Sequence, residues 1–478
     1  MEALRVALAL ILPWAAGAAL VLALTRQRDR AGLAVALGYG FFAGMLITAL
    51  GMLALDTAGV ALEFGNAVWV PAGMLAASAI AVLASGQRPP AAGPGPDLTR
   101  AQRAVFYALL GWIALRAAGL GVEVALNPLY AWDAWAQWVH KARVWFEHRA
   151  LVPFVSADDW PRLAGSGAHT VQTWHYPPGV PLVQLWMALA LGRWDESVIN
   201  LPWLAAYVAL GLAVYGQLRA WGASALAALV LAYLVLSLPL LNTHVAWAGI
   251  ADLWVAALYG LAAMAALRWA RDRDWAQGVL AAAAAGGLVL MKLPGLVWAL
   301  TLLPALAVAL APRSWLALGT VAAGVVAVAI LALVALFPEL SPLERLGERL
   351  SATVTEPRWD VLGAFGENLY GMASWHLLWY ALPVVMVLAL PGLWRSRVHL
   401  AATLLLVEAA VFLIGVYVFT ERAQWALDHT QLGRAIMHVS VFTVFYLGML
   451  WVDGGKGQVR GPRSEGRVVP AADAGAEG

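Results

Sequence analysis

Long apolar runs dominate the sequence, and their length is the feature that most limits how the chain can fold. Residues 6–24 and 31–55 contain no charged side chain, and residues 400–419 contain one, Glu408. A helix needs about 20 apolar residues to cross the hydrocarbon core of a bilayer, because each residue adds about 1.5 Å. Unpaired backbone groups are costly in lipid, so runs of this kind favour helices. The chain is therefore predicted to be an all-α polytopic membrane protein.

Composition narrows the class further. Of the 478 residues, 62% are hydrophobic and 12% are charged, whereas globular proteins have roughly 25% charged residues. The formal net charge is +2, which gives no basis for nucleic-acid binding. The sequence contains no cysteine, which excludes disulfides, thiolate metal sites and a cysteine nucleophile.

The first apolar run is predicted to be a retained helix rather than a secretory signal peptide. It is long enough to span, it lacks a clear small-x-small cleavage site, and Arg26, Arg28 and Arg30 follow it. Basic residues favour the cytoplasmic side of a membrane, so this cluster places the N-terminus outside. Applied along the chain, the same rule predicts about thirteen spans in a multi-pass protein of the cell inner (plasma) membrane. The predicted spans are residues 6–24, 31–55, 67–84, 104–122, 199–218, 223–241, 251–267, 279–291, 296–310, 316–337, 377–393, 400–419 and 436–452.

Residues 176–192 do not fit this count as a span. The segment is apolar, but Pro177, Pro178 and Pro181 interrupt it, and a crossing here would invert the basic clusters that follow. We predict a juxtamembrane or partly inserted helix instead. Irregular backbone is tolerated at membrane depth where it is buried in protein or lines a wet cavity, so a functional site is expected nearby.

Prolines and arginines after the third span predict a division of the chain. Residues 87–103 contain Pro89, Pro90, Pro94 and Pro96, which cannot all belong to one helix. The predicted parts are a three-span N-terminal appendage (1–86), a cytoplasmic linker (87–103), a transmembrane core (104–452) and a disordered cytoplasmic tail (453–478). The core is predicted to contain a large first external loop (123–198) and a second external loop (338–370).

Several ionisable residues fall on the predicted external side, away from the basic clusters inside. Charge near a bilayer is costly unless it faces a cavity or a partner, so these residues are candidates for a functional site. Simpler roles exist: Asp133 could cap a helix, and Lys292 and Arg434 could extend toward lipid headgroups. The candidates are Asp133, His140, Lys141, His175, Asp252, Lys292, Arg422 and Arg434.

Five short sequence marks occur in a fixed order. They are Trp-Asp-Ala-Trp at 132–135, His-Tyr-Pro-Pro-Gly-Val-Pro at 175–181, Ala-Asp-Leu at 251–253, Met-Lys-Leu-Pro-Gly at 291–295, and Arg434. In this order they resemble the GT-C superfamily of glycosyltransferases, in particular protein O-mannosyltransferases and lipid A aminoarabinose transferases. The resemblance covers residues 104–452. It implies a GT-C-like fold that transfers a sugar from a polyprenyl-phosphate donor to a lipid, glycan or protein acceptor on the external (periplasmic) face.

The resemblance also implies roles for individual residues. Asp133 matches the acidic residue of the first external loop that is implied to act on the acceptor, and a carboxylate there can take the acceptor proton in an inverting transfer. Lys292 and Arg434 suit the leaving lipid phosphate, because cations stabilise the charge that grows as the glycosidic bond breaks. Asp252 is expected either to orient the acceptor or to hold Lys292.

Three further residues are candidates for substrate binding. His175 and Tyr176 lie at the entrance of the proline-broken helix, where they could contact sugar or phosphate, and a structural turn would explain the prolines equally well. Lys141 lies about two helical turns after Asp133. No metal and no cofactor are expected, because Asp133 lacks the paired acidic neighbour found in many relatives and one carboxylate is a poor site for a hard cation.

Other classes remain open at this stage. A transporter would have broken spans in corresponding halves and polar groups near the middle of the membrane. A non-enzymatic lipid-binding scaffold would explain the hydrophobicity but not the external Asp, Lys and Arg residues. A lipid-linked oligosaccharide polymerase or ligase is the nearest enzymatic alternative.

Overall fold

The computed structural model is almost entirely helical and describes residues 2–25, 30–85, 98–129, 131–163, 165–310, 355–393 and 396–459. Its helices confirm the predicted all-α polytopic class, and the GT-C-like arrangement stays a prediction. The first five helices are α1 (Glu2–Thr25), α2 (Arg30–Thr57), α3 (Phe64–Ala67), α4 (Trp69–Ala84) and α5 (Arg100–Leu126).

A mostly irregular segment with short elements follows α5. Its elements are a π-helix (Ala134–Val139), α6 (His140–His148), strand β1 (Phe154–Val155), a 3-10 turn (Trp160–Leu163), strand β2 (His169–Thr170), α7 (Gly179–Leu191) and a second 3-10 turn (Val198–Asn200). The two strands are parallel, with Phe154 opposite His169. This segment corresponds to the predicted first external loop.

Long helices return after this segment. The next are α8 (Leu201–Trp221), α9 (Ala225–Ser237), α10 (Pro239–Ala246), α11 (Asp252–Asp272), α12 (Trp275–Met291) and α13 (Pro294–Leu310). The last described part has α14 (Val361–Gly366), a second π-helix (Glu367–Gly371), α15 (Leu378–Leu393), α16 (Arg397–Phe419), α17 (Ala423–Leu427) and α18 (Leu432–Val459).

The described residues contain 8 helices long and apolar enough to cross a membrane, or 9 if the pair α9 and α10, bent by 61°, is one span. Three other predicted spans, 279–291, 296–310 and 377–393, correspond to the shorter apolar helices α12, α13 and α15. The predicted span 316–337 lies outside the described residues. The count of thirteen therefore stays a prediction.

Two predicted boundaries are wrong. Helix α5 begins at Arg100, inside the predicted linker, because Thr99 and Gln102 form a capping box that closes its first turn. Helix α18 continues to Val459, past the predicted start of the tail at residue 453. Residues 87–97 of the predicted linker, 460–478 of the predicted tail and 338–354 of the predicted second loop lie outside the described residues.

Helix α7 occupies the predicted non-spanning segment. Its 13 residues reach about 20 Å at 1.5 Å each, short of the roughly 30 Å hydrocarbon core. Every residue of α7 is buried in protein. At Gly179 a Cβ would lie 2.5 Å from the carbonyl oxygen of Leu290, so only glycine lets α7 approach the end of α12 this closely.

The N-terminal helices pack into the same hydrophobic core as the rest of the described chain. The indole of Trp186 on α7 donates to the carbonyl of Ala9 at 2.8 Å, and the Tyr39 hydroxyl donates to the carbonyl of Leu261 at 2.8 Å. The side chain of Gln217 on α8 donates to the Tyr39 hydroxyl at 2.8 Å. Helices α1 and α2 thus support the helices that carry the functional candidates.

The helix ends gather in two groups. At one end Asp453 of α18 accepts hydrogen bonds from Trp221 at 3.1 Å and from His399 at 2.9 Å, which brings together α8, α16 and α18. Arg271 of α11 reaches the same place and donates to the carbonyl of Ala220 at 3.2 Å. We name this the opposite end. The other ends of α11, α12, α16 and α18 meet at what we name the site end.

Candidate functional site

Asp252 is the centre of the site end. As the first residue of α11 it has 1% of its side chain exposed. Its Oδ1 accepts hydrogen bonds from Lys292 Nζ at 2.7 Å and from His438 Nε2 at 2.8 Å. Its Oδ2 accepts from Arg434, with Nε at 3.0 Å. A buried carboxylate is tolerated when charge and hydrogen bonds compensate it, and here three side chains do so.

His438 is held in one tautomer. Its Nδ1 accepts a hydrogen bond from the Trp298 indole at 3.1 Å, because an indole N–H can only donate. The ring proton must then sit on Nε2, from which it is donated to Asp252. A neutral imidazole therefore orients Asp252 without adding a further charge to the site.

Arg434 joins Asp252 to Asp133. Its guanidinium holds Oδ2 of Asp252 on one side and forms an ion pair with Oδ2 of Asp133 on the other. The amide of Gln137 donates to Oδ1 of Asp133 at 3.3 Å. Asp133 makes no capping hydrogen bond at the start of its helix, so the simpler interpretation of Asp133 as a helix cap is wrong.

The local backbone at Asp133 is unusual. A π-helix, Ala134–Val139, follows it directly, and the helix returns to α-helical geometry in α6. Single π-turns are rare and are frequent at functional sites, where they change the direction of side chains relative to an α-helix. Here Asp133 and Gln137 both face the space between the helix ends.

That space is a cavity of about 100 Å³ between the converging helix ends. Its lining contains both polar and apolar side chains. The polar lining consists of Asp133, Gln137, Tyr176, Asp252, Lys292, Arg422, Gln431, Arg434 and His438. The apolar lining consists of Pro294, Trp298, Phe412, Leu413, Val416, Tyr417 and Ala435. The cavity therefore suits a ligand with a charged end and a hydrocarbon part.

Five of the seven predicted site residues line this cavity: Asp133, Tyr176, Asp252, Lys292 and Arg434. They come from separate segments of the chain, and the structure brings them together. Of the two roles expected for Asp252, the contacts show that it holds Lys292. Burial raises the pKa of Tyr176, which keeps its hydroxyl protonated and available as a donor.

The other two predicted residues do not line the cavity. His175 is exposed, and its ring packs against those of Trp174 and Tyr176. Lys141 is buried and donates to the carbonyls of Trp174 at 2.8 Å and Tyr176 at 2.9 Å. Direct substrate contact by these two residues stays a prediction, and the ammonium of Lys141 is already engaged by two backbone carbonyls.

Sequence reasoning missed several lining residues. His438 follows Arg434 by four positions, and that spacing places both side chains on one helix face, so it was detectable. Gln137 stands in the same relation to Asp133. Trp298 and the lining side chains of α16 could not be predicted from the sequence. An apolar residue in a span produces the same sequence pattern whether it faces lipid, protein or a ligand.

No family model matches the chain, and no curated protein and no solved structure matches it. Within the described ranges, no group of three or more His, Asp or Glu side chains is arranged to hold a metal ion. The geometry and charge of the cavity are therefore the basis for inferring a function.

Proposed function

We propose that this protein is a membrane glycosyltransferase that moves a sugar from a polyprenyl-phosphate donor to an acceptor on the external face, with inversion at the anomeric carbon. One observation carries the proposal. A single cavity with an apolar wall is lined by four charged residues from different parts of the chain: Asp133, Asp252, Lys292 and Arg434. A base candidate, cations and a hydrocarbon surface are the elements that this transfer needs.

The charge of the cavity supports an anionic donor. Asp133 and Asp252 contribute −2, and Lys292, Arg422 and Arg434 contribute +3, so the lining has a net formal charge of +1 with its imidazole neutral. A sugar linked to a lipid phosphate is a phosphodiester with one negative charge. After transfer the phosphate is a monoester and carries more charge, which the same cations stabilise further.

The reaction balances with groups of this chain. The acceptor oxygen forms a bond to the anomeric carbon while the bond from that carbon to the phosphate oxygen breaks, and the electron pair goes to the phosphate. The acceptor proton goes to Asp133. Attack from the face opposite the leaving phosphate gives inversion.

Asp133 must change partner to act as the base. In the structure its Oδ2 is paired with Arg434 and is therefore not available to an acceptor hydroxyl. A bound phosphate competes for the same guanidinium and frees Asp133, while Arg434 stays held by Asp252. The base is thus activated by donor binding.

The wall formed by α16 suits the lipid part of the donor. Phe412, Leu413 and Val416 face the cavity, whereas Val407 and Val411 on the same helix are exposed on the outside of the bundle. A lipid chain that leaves the cavity past α16 would enter the surrounding bilayer. The charged groups of the cavity lie at or near helix ends rather than in the middle of the spans, which favours an enzyme over a transporter.

The experiment is transfer of labelled sugar from polyprenyl phosphates by the purified protein in lipid nanodiscs. Asp133→Asn keeps the shape but removes the base, so turnover should fall by roughly 100-fold or more. Donor affinity should not fall, because the variant also removes the carboxylate that competes with the phosphate for Arg434. Lys292→Ala should weaken donor binding as well as turnover, because the cation meets charge already present in the ground state.

Asp360→Asn is the matched control, since Asp360 is an exposed carboxylate paired with Arg358 outside the cavity. It should retain wild-type turnover. A fully active Asp133→Asn variant would remove Asp133 as the base, and absence of transfer from every polyprenyl-phosphate sugar tested would remove the proposed activity.

A further inference from the structure

Lys141 is a buried cation with an unusual set of partners. Only 3% of the residue is exposed, and no described carboxylate forms an ion pair with it. Its ammonium donates instead to two main-chain carbonyls, of Trp174 and Tyr176, and lies 5.9 Å from the centre of the Phe154 ring. Burying a lysine without a carboxylate is costly, and the two hydrogen bonds to carbonyls compensate part of that cost.

These hydrogen bonds join two segments that are distant in sequence. One is the helix that carries Asp133 and continues through the π-helix into α6. The other is residues 171–178, which contain turns but no helix or strand. Two more contacts join the same segments: the Thr173 hydroxyl donates to the Gln137 carbonyl at 3.1 Å, and the rings of Trp138 and Tyr176 lie 5.2 Å apart.

Both segments contribute to one wall of the cavity. Asp133 and Gln137 come from the first, and Tyr176 comes from the second. Gln137 takes part in two hydrogen bonds. Its side-chain amide donates to Asp133, and its main-chain carbonyl accepts from Thr173. A shift of residues 171–178 therefore changes the support of Asp133 as well as the place of Tyr176.

We propose that Lys141 is a positioning residue, which fixes residues 171–178 against the Asp133 helix so that Asp133 and Tyr176 face the same substrate. This inference rests on the proposed function. A lysine suits the task because its three N–H donors at the end of a long side chain reach two carbonyls at once. Methionine has a similar length and no donor, whereas arginine retains donors.

The first test compares Lys141→Met with Lys141→Arg in the transfer assay. Loss of both hydrogen bonds should lower kcat by roughly 10- to 100-fold, the range for displacement of a catalytic group by about 1 Å, with the donor KM little changed. Lys141→Arg should restore part of the rate. Arg143→Met, on the exposed side of the same helix, is the matched control and should retain wild-type kcat.

Coupling to Asp133 distinguishes positioning from a general loss of stability. If Lys141 acts through Asp133, Lys141→Met should have little further effect on kcat in a chain that already carries Asp133→Asn. A purely structural role would lower the amount of folded protein in both backgrounds and leave kcat per folded molecule unchanged.

A second readout does not depend on activity. The chain has no cysteine, so Val171→Cys, which lies outside the cavity lining, introduces a single thiol whose maleimide labelling reports the position of residues 171–178. Lys141→Met should speed this labelling at least about tenfold, because local opening of the segment becomes easier. Thr173→Val, which removes only the hydrogen bond to Gln137, should act in the same direction and serves if Lys141→Met does not fold.

The outcomes separate the two proposals. Faster labelling in a protein without transfer activity would support the positioning role of Lys141 and contradict the glycosyltransferase proposal. If the protein is active but Lys141→Met and Thr173→Val change neither kcat nor labelling, the positioning role is contradicted and the glycosyltransferase proposal is not.

Discussion

At the scale of single residues, two buried carboxyl groups have opposite surroundings. Asp252 accepts hydrogen bonds from Lys292, His438 and Arg434. Glu408, in the middle of α16, is 2% exposed, and no described group is within hydrogen-bond distance of either of its carboxylate oxygens. A buried polar group without a partner lowers the stability of a protein, whereas a fully compensated one does not.

Replacement of these two residues by leucine should therefore change stability in opposite directions. Glu408→Leu should raise the free energy of unfolding by about 1 to 3 kcal/mol, because it removes an uncompensated polar group at similar volume. Asp252→Leu should lower it by about 3 to 5 kcal/mol, because Lys292 and Arg434 are left as buried cations. Thermal unfolding in one detergent measures both. A lower melting temperature for Glu408→Leu would show that Glu408 has a stabilising partner.

At the scale of elements, small residues set the approach of α1 and α2. Gly40 and Gly44 lie four residues apart on α2. A Cβ at Gly40 would overlap the backbone of Ala18 on α1, and a Cβ at Gly44 would overlap the Pro13 carbonyl on the same helix. Glycines at this spacing let two membrane helices pack with their backbones in contact. The pair formed in this way supports α7 and α8 from the N-terminal side.

Gly44→Ala should separate these two helices. The added methyl group cannot be accommodated without backbone movement, so we expect a loss of roughly 1 to 3 kcal/mol in stability. Gly111→Ala is the matched control: Gly111 is also in a helix, α5, but nothing lies within 4 Å of its Cβ position. That variant should be unchanged or stabilised by up to about 1 kcal/mol through helix propensity. Equal melting temperatures for the two variants would contradict this account of the packing.

The sequence predicted some elements well and others not at all. Long apolar runs predicted spans such as 31–55 and 400–419, because hydrophobicity over 20 residues is a strong signal. The prolines before α7 predicted a helix that does not span, and its length agrees. The π-helix beside Asp133 was not predictable, because no local residue pattern marks it, and the main-chain carbonyl of Gln137 within it accepts a hydrogen bond from Thr173 of a distant segment. The contacts of Lys141 were not predictable either, because its partners are backbone carbonyls from another segment.

At the scale of the whole molecule, the ends of the helices form two groups. Asp252, Lys292 and Arg434 meet at the site end, as expected if all three lie on one side of the membrane. Arg271 and Asp453 meet other helix ends at the opposite end. The grouping agrees with the alternation of spans predicted from basic residues, and which end faces outward stays a prediction.

Single cysteines can test that orientation, because the natural chain has none. Gln172→Cys lies in the exposed part of the predicted first external loop, and Ala101→Cys lies at the exposed start of α5 on the predicted inner side. In intact cells an impermeant maleimide should label Gln172→Cys, and it should label Ala101→Cys only after lysis. The reverse pattern would invert the topology and exclude a donor presented at the outer surface.

The contacts of Asp252 also impose an order on biosynthesis. Its first ionic partner, Lys292, follows 40 residues later, whereas Arg434 follows 182 residues later. A ribosome adding roughly 5 to 20 residues per second needs about 10 to 40 s to reach Arg434. From the synthesis of Lys292 until that of Arg434, Lys292 is the one of these two cations that can pair with the carboxylate. A chain that stops before α18 has neither Arg434 nor His438, and the site therefore exists only after α18 has been made.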